Sequence, residues 1–180
     1  MGADQPLEPT SQLAHTILAY VHLLRSEMGL FSQEAETALT LNPHSPNYIG
    51  TLGYLYVYAG EFERGVALVE EAIRLNPYHP KWFHHALCAA RFAQGDYEGA
   101  YRIVSKAGFQ VGFWDPVIRA AALGHLGRLE EAAACARELL ELVPDFEERA
   151  HIIVGRGTRS DSVVEKVIDG LRKAGLRIDG

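Results

Sequence analysis

The tripeptide Leu-Asn-Pro occurs twice, at residues 41–43 and 75–77, 34 positions apart, and each copy closes a stretch of helical periodicity. In the second stretch, residues 46–77, apolar and small residues recur at helical spacing: Leu52, Gly53 and Tyr56, then Val66, Val69, Ala72 and Ile73. Gly60, between the two sets, can take the left-handed backbone that ends a helix, and Pro77 cannot donate a helical hydrogen bond. The stretch therefore reads as two amphipathic helices joined by a tight turn. One such hairpin cannot bury its apolar face alone, so the chain is constrained to stack copies of it.

The rest of the sequence supplies those copies. Residues 11–43 form a first unit, opened by a cap at Thr10 or Ser11 and carried by Leu13, Ile17, Leu18, Tyr20, Val21 and Leu24. Here Ser26 stands where the turn glycine belongs, and Met28-Gly29-Leu30 reads as the turn into a second helix over residues 32–41. A third unit, 81–112, turns at Gly95 and lacks the closing Leu-Asn-Pro, with Gly108 and Gly112 where a proline stop would sit; its second helix is expected to be short. A fourth unit, 113–144, turns at Gly127 and packs through Ala132, Ala133 and Ala136. Residues 145–180 read as capping helices and a tail, with Val163, Val164, Val167, Ile168 and Leu171 on the last helix. Residues 1–10 read as a disordered leader. The expected fold is all-α: a right-handed superhelical α-solenoid of about four helix-turn-helix units with C-terminal capping helices.

Composition narrows the function. The chain carries 17 basic and 23 acidic side chains, a formal net charge of −6, without the clustered positive surface that nucleic acid requires. Of the basic residues, only Arg25 falls in the first sixty positions. Both cysteines, Cys88 and Cys135, fall inside helical stretches, which points to a reducing, cytoplasmic setting. No apolar run approaches the roughly 18 residues of a membrane span. Neither nucleic acid nor membrane is an expected partner.

The order small, aromatic, glycine, alanine, proline over residues 46–77, at a period of about 34 residues, resembles the tetratricopeptide repeat (TPR) family. That resemblance implies a concave groove lined by the first helix of each pair, and assigns to it Tyr20 and Leu24, Tyr54 and Tyr58, Trp82, His85 and Phe92, and Trp114, Ile118 and His125. Rigid aromatic surfaces suit recognition of a peptide or helix, because they bury large area at little rotamer cost. Large aromatics are also common in cores, so Tyr20, Trp82 and Trp114 have a place beneath a terminal helix as the alternative. The family's chaperone-tail binders use Lys and Asn on these helices. Here the matching positions are Thr16, Gly50, His85 and Val117 for Lys, and Tyr20, Tyr54, Ala89 and Ala121 for Asn, so that ligand is not expected.

Other motifs carry less. His79, His84 and His85 cluster in sequence, with His44 one repeat earlier, but adjacent helical histidines point about 100° apart and Cys88 sits at a small-residue contact position. No metal site and no cofactor are expected. The loop 155–160, Gly-Arg-Gly-Thr-Arg-Ser, lacks the Lys and the strand–helix surroundings of a phosphate loop and reads as a linker with a helix cap. No nucleophile, base and orienting group stand together, so the chain does not read as an enzyme.

Over residues 38–176 the sequence is also similar to the C-terminal repeat region of bacterial adenylate/guanylate cyclase-like and transcription-regulator-like proteins, down to the Gly-Leu-Arg-Lys-Ala-Gly-Leu ending at residues 170–176. That similarity implies a bacterial signalling context and a regulatory region without catalytic residues of its own. The expected function is a non-enzymatic interaction module that binds a peptide, a helix or a second copy of itself through the aromatic groove. The alternative is a sensor that takes a small apolar molecule in the same groove and regulates an attached signalling enzyme. Self-association is expected from the apolar first helix, in which His15, Thr16, Tyr20 and His22 carry the polar atoms between Leu13 and Leu24.

Overall fold

The computed structural model describes residues 11–107 and 112–179; the leader expected over residues 1–10, and Gly108, lie outside them. Among the described residues there are ten α-helices and no strand. They are α1 (Gln12–Leu24), α2 (Met28–Leu41), α3 (Pro46–Ala59), α4 (Phe62–Leu75), α5 (Phe83–Gln94), α6 (Tyr97–Ala107), α7 (Trp114–His125), α8 (Leu129–Leu142), α9 (Phe146–Gly155) and α10 (Asp161–Lys173). The first eight form four hairpins, α1/α2 to α7/α8, and the fold is an all-α helical repeat.

All four hairpins close on the same backbone device. The first amide after each turn donates back to the carbonyl five residues earlier: Glu27 to His22, Glu61 to Tyr56 and Asp96 to Arg91 at 2.9 Å, and Arg128 to Leu123 at 3.0 Å. This bond requires a left-handed residue just before it. Gly60, Gly95 and Gly127 provide φ of 95°, 76° and 72°, and Ser26 adopts φ 63° in the degenerate first unit. With the turn complete at Ser26–Glu27, α2 begins at Met28, four residues before the expected start at Ser32. Met28-Gly29-Leu30 is its first turn and not the connection. The described part of α6 runs over 11 residues, Tyr97–Ala107, and the expected early end of the third unit's second helix falls at residues outside the described ones.

Apolar contacts run continuously along the stack. Leu23, Phe31, Ala35 and Ala38 pack against Leu52, Leu55 and Tyr56 of the next hairpin, with Phe31 and Tyr56 edge to face at 5.0 Å. Ile49, Val57, Val69 and Ala72 meet Phe83, Ala86 and Ala89. The largest cluster joins α5 to α8 with α9 and α10, including Phe92, Val117, Leu123, Leu139, Phe146 and Leu171. Leu176 and Ile178 of the tail are buried in it too. Charged pairs such as Arg74–Glu71, Arg128–Glu131 and Arg149–Asp145 lie on the outside.

α10 does not extend the series of hairpins. It packs chiefly on α7 and reaches α5, both of them first helices of their hairpins. The C-terminal helix therefore turns back onto the face that the first helices share.

Candidate functional site

The first-helix face is divided into two parts. Over the third and fourth hairpins it is covered by α10, whose Val163, Val167, Ile168 and Leu171 are buried together with Phe92, Ile118, Ala121 and Leu123. Gly124 and Gly170 let the two backbones touch: a Cβ built on Gly124 would overlap the Gly170 carbonyl oxygen, and one on Gly170 would overlap the Ala121 carbonyl oxygen. Polar bonds fix the position of the helix. His125 Nε2 donates to the Lys166 carbonyl at 2.7 Å, and Lys166 Nζ donates to the Ala93 carbonyl at 2.6 Å. Lys173 Nζ bridges Asp169 at 2.6 Å and His125 Nδ1 at 3.3 Å, and the Asp169 carboxyl is held below its ordinary range chiefly by that lysine. Tyr97 stacks on the His125 ring at 3.8 Å.

The segment before α10 ties this covered half to the first two hairpins. Gly157 lies against the Trp114 indole, and Thr158 is buried. The Arg159 amide donates to the Tyr58 carbonyl at 2.9 Å, while its guanidinium donates to Ser26 Oγ at 2.5 Å and to the Leu24 carbonyl at 2.8 Å. Arg159 therefore bridges the C-terminal ends of α1 and α3, and it occupies the hydroxyl of the left-handed Ser26.

Five of the residues expected on an open groove are covered. Phe92 and Ile118 are buried, His85 is 8% exposed, and His125 and Trp114 are enclosed by α10 and the segment before it. They do lie on the first-helix face, but the chain's own C-terminal helix occupies it there. Burial holds the His85 imidazole down to about 4. Its ring stands between Tyr54 at 6.0 Å and Trp114 at 5.3 Å. The cavity that His85, Phe92, Trp114 and Ile118 share with Val163 and Val167 measures about 20 Å³, space for about one water.

Among the described residues no element covers the other half of the face, on α1 and α3. Tyr20 is 48% exposed, and Tyr54 and Tyr58 are half-buried beside it. Burial raises the Tyr54 phenol, and the nearby Tyr58 and Tyr20 hydroxyls raise it further. Tyr54 and Tyr58 pack on the same core cluster, and Trp82 stands on the far side of Tyr54, edge to face with it at 5.3 Å and with Phe83 at 4.6 Å. Beside Tyr20, three further residues of α1 complete an apolar stripe: Leu13, Ile17 and Leu24 are 45–51% exposed. A shift of 34 residues places Leu13 and Ile17 over Asn47 and Thr51 of α3. Neither Leu13 nor Ile17 was among the expected site residues; the signal was the replacement of two polar positions of the repeat by apolar ones.

Among the described residues no group of three or more histidine, cysteine or acidic side chains is arranged to hold a metal ion, and no helix is long and apolar enough to cross a membrane. Burial raises both the Cys88 and the Cys135 thiols.

The tetratricopeptide repeat family model matches residues 47–79, the second hairpin and the turn that follows it. Among solved structures, the chain is similar to the crystal structure of YrrB, a TPR protein with an unusual peptide-binding site, at 15% identity and a TM-score of 0.62, over 94% of this chain and 91% of that one. No curated protein matches the chain.

Proposed function

We propose that the protein is a non-enzymatic protein-interaction module whose binding surface is the uncovered half of the first-helix face, formed by Leu13, Ile17, Tyr20 and Leu24 of α1 with Tyr54 and Tyr58 of α3. The observation that carries this reading is the division of the face. An amphipathic helix of the chain itself already fills the half over α5 and α7, and the half over α1 and α3 presents exposed apolar and aromatic side chains on α1 beside the half-buried Tyr54 and Tyr58. The helical-repeat fold supports a protein or peptide partner, and the peptide-binding site named for YrrB is in keeping with it.

Physical chemistry favours the strip as a recognition surface. It exposes two-rotor aromatic side chains and aliphatic groups that gain from leaving water, ringed by hydroxyls that orient a partner. Trp82, His85, Phe92, Trp114, Ile118 and His125 then act behind it, as the support that fixes Tyr54 and seats α10. The sensor reading has less support, because the cavity at His85 and Trp114 has no room for an apolar molecule larger than a few atoms.

A phage-displayed peptide library selected against the whole chain tests the proposal. Enriched peptides should lose at least tenfold in affinity on Ile17→Glu and on Tyr58→Ala, with circular dichroism unchanged. No enrichment, or peptides indifferent to both changes, contradicts it.

A further inference from the structure

A second concavity, of about 540 Å³, lies on the third hairpin between α5 and α6, away from the strip on α1 and α3. It is lined by His84 and Arg91 of α5 and by Gly99, Arg102, Ile103 and Lys106 of α6. Its size is that of a small-molecule site. Its lining carries three permanent cations and no carboxylate, in a chain whose net charge is −6.

Two of those cations lack an acidic partner, as Lys81, Arg137, Arg156, Arg159, Lys166 and Arg172 do elsewhere among the described residues, but here they share one cleft. Arg64, Arg74, Arg119, Arg128, Arg149 and Lys173 each engage an acidic side chain of the chain itself. Arg91 is held by Asp96, Nη1 to Oδ2 at 3.2 Å, and the same carboxylate caps the Gly99 amide at 2.8 Å. That pair fixes one guanidinium at the cleft and leaves its other N–H groups for a ligand. Arg102 and Lys106 have no carboxylate partner among the described residues. They lie at i and i+4 on α6, about 6 Å apart along one face of the helix. Gly99 and Ile103 line the space between the charged groups, with the Asp96 carboxylate lying against Gly99 at the Arg91 end.

His84 lines the cleft as a neutral ring whose one N–H is already given to His79. His79 Nδ1 donates to the Asn76 carbonyl at 3.0 Å, so its Nε2 accepts from His84 Nε2 at 2.9 Å. Burial, with the neighbouring His79, holds the His84 imidazole below its ordinary value.

We infer that this cleft is a binding site for a small molecule bearing a chain of phosphate oxygens. The planar fork of Arg102 suits two phosphate oxygens at once, Lys106 acts as a point charge one helical turn away, and Arg91 closes the far end. Charges spaced along a cleft of this size fit a diphosphate better than one isolated anion. The occupant is a free pyrophosphate or the diphosphate of a nucleotide, which share the same recognition chemistry.

Isothermal titration of the whole chain with pyrophosphate and with ADP, at constant ionic strength, tests the site, using the double variant Arg102→Gln/Lys106→Gln. Both side chains are exposed, so the variant should melt with the parent. Pyrophosphate should bind at least tenfold more weakly to the variant; ADP binding more tightly than pyrophosphate identifies a nucleotide site, and equal binding identifies the diphosphate alone. Equal pyrophosphate affinity for parent and variant, no heat with either probe, or citrate binding as tightly as pyrophosphate overturns the inference. None of these outcomes bears on the strip of α1 and α3.

Discussion

Gly124 of α7 and Gly170 of α10 meet backbone to backbone, so closely that a methyl group on either would overlap a main-chain carbonyl of the other helix. Both lie in the last turns of their helices, where alanine would be favoured by at most about 1 kcal/mol on propensity alone. The contact therefore accounts for two glycines that no turn requires.

It follows that Gly170→Ala destabilises the protein despite the better helix former. Overpacking of this kind costs about 1–3 kcal/mol, which exceeds the propensity gain. Urea unfolding should show the loss, and amide hydrogen exchange should show it concentrated in α10. A variant as stable as the parent would mean that α10 does not seat against α7 in this way.

Ser26 gives a prediction of opposite sign. A non-glycine residue in the left-handed region costs about 1–2 kcal/mol, and at Ser26 the compensation is one exposed bond from Arg159. Ser26→Gly should stabilise by about 0.5–1 kcal/mol, after allowing for the extra freedom of glycine in the unfolded chain. Gly60→Ala, at φ 95°, should destabilise by about 1–2 kcal/mol. Chemical denaturation of the two variants side by side measures both.

His85 makes stability depend on pH. Its folded value of about 4 lies below the unfolded value of about 6.5, so the unfolded chain binds more protons between them. The stabilisation is fully present above about pH 6.5 and is lost as pH falls towards 4, with a ceiling of about 3 kcal/mol at 1.36 kcal/mol per unit. Asp169, Asp145 and Glu131 have depressed values and lose their contributions at lower pH, so they should not mask this window. Unfolding free energies at pH 7 and pH 4.5 should fall more steeply for the parent than for His85→Leu. Parallel profiles would show that His85 titrates normally.

The hairpins were legible because their punctuation is local. Pro43 and Pro77 end helices wherever they stand, and Gly60, Gly95 and Gly127 mark turns that only a few residue types can make. The start of α2 was misread for the same reason: Gly29 looked like punctuation, while the working left-handed residue was a serine three positions earlier. The covering of Phe92, Ile118 and His125 was not legible, since a helical period shows that α10 has an apolar face and not which surface receives it. Gly124 and Gly170 carried that information, as helical glycines that no turn requires. The apolar stripe of α1 was visible as composition, but its position on the uncovered half of the face depends on where α10 lies.

The central claim, that the strip on α1 and α3 holds a protein partner while α10 fills the rest of the face, is tested most directly by site-specific photo-crosslinking in the cells that make the protein. A benzophenone side chain in place of Tyr20 should join the chain to another polypeptide, and one in place of Glu70, on the exposed face of α4, should not. Adducts from position 70 with none from position 20 would contradict the claim.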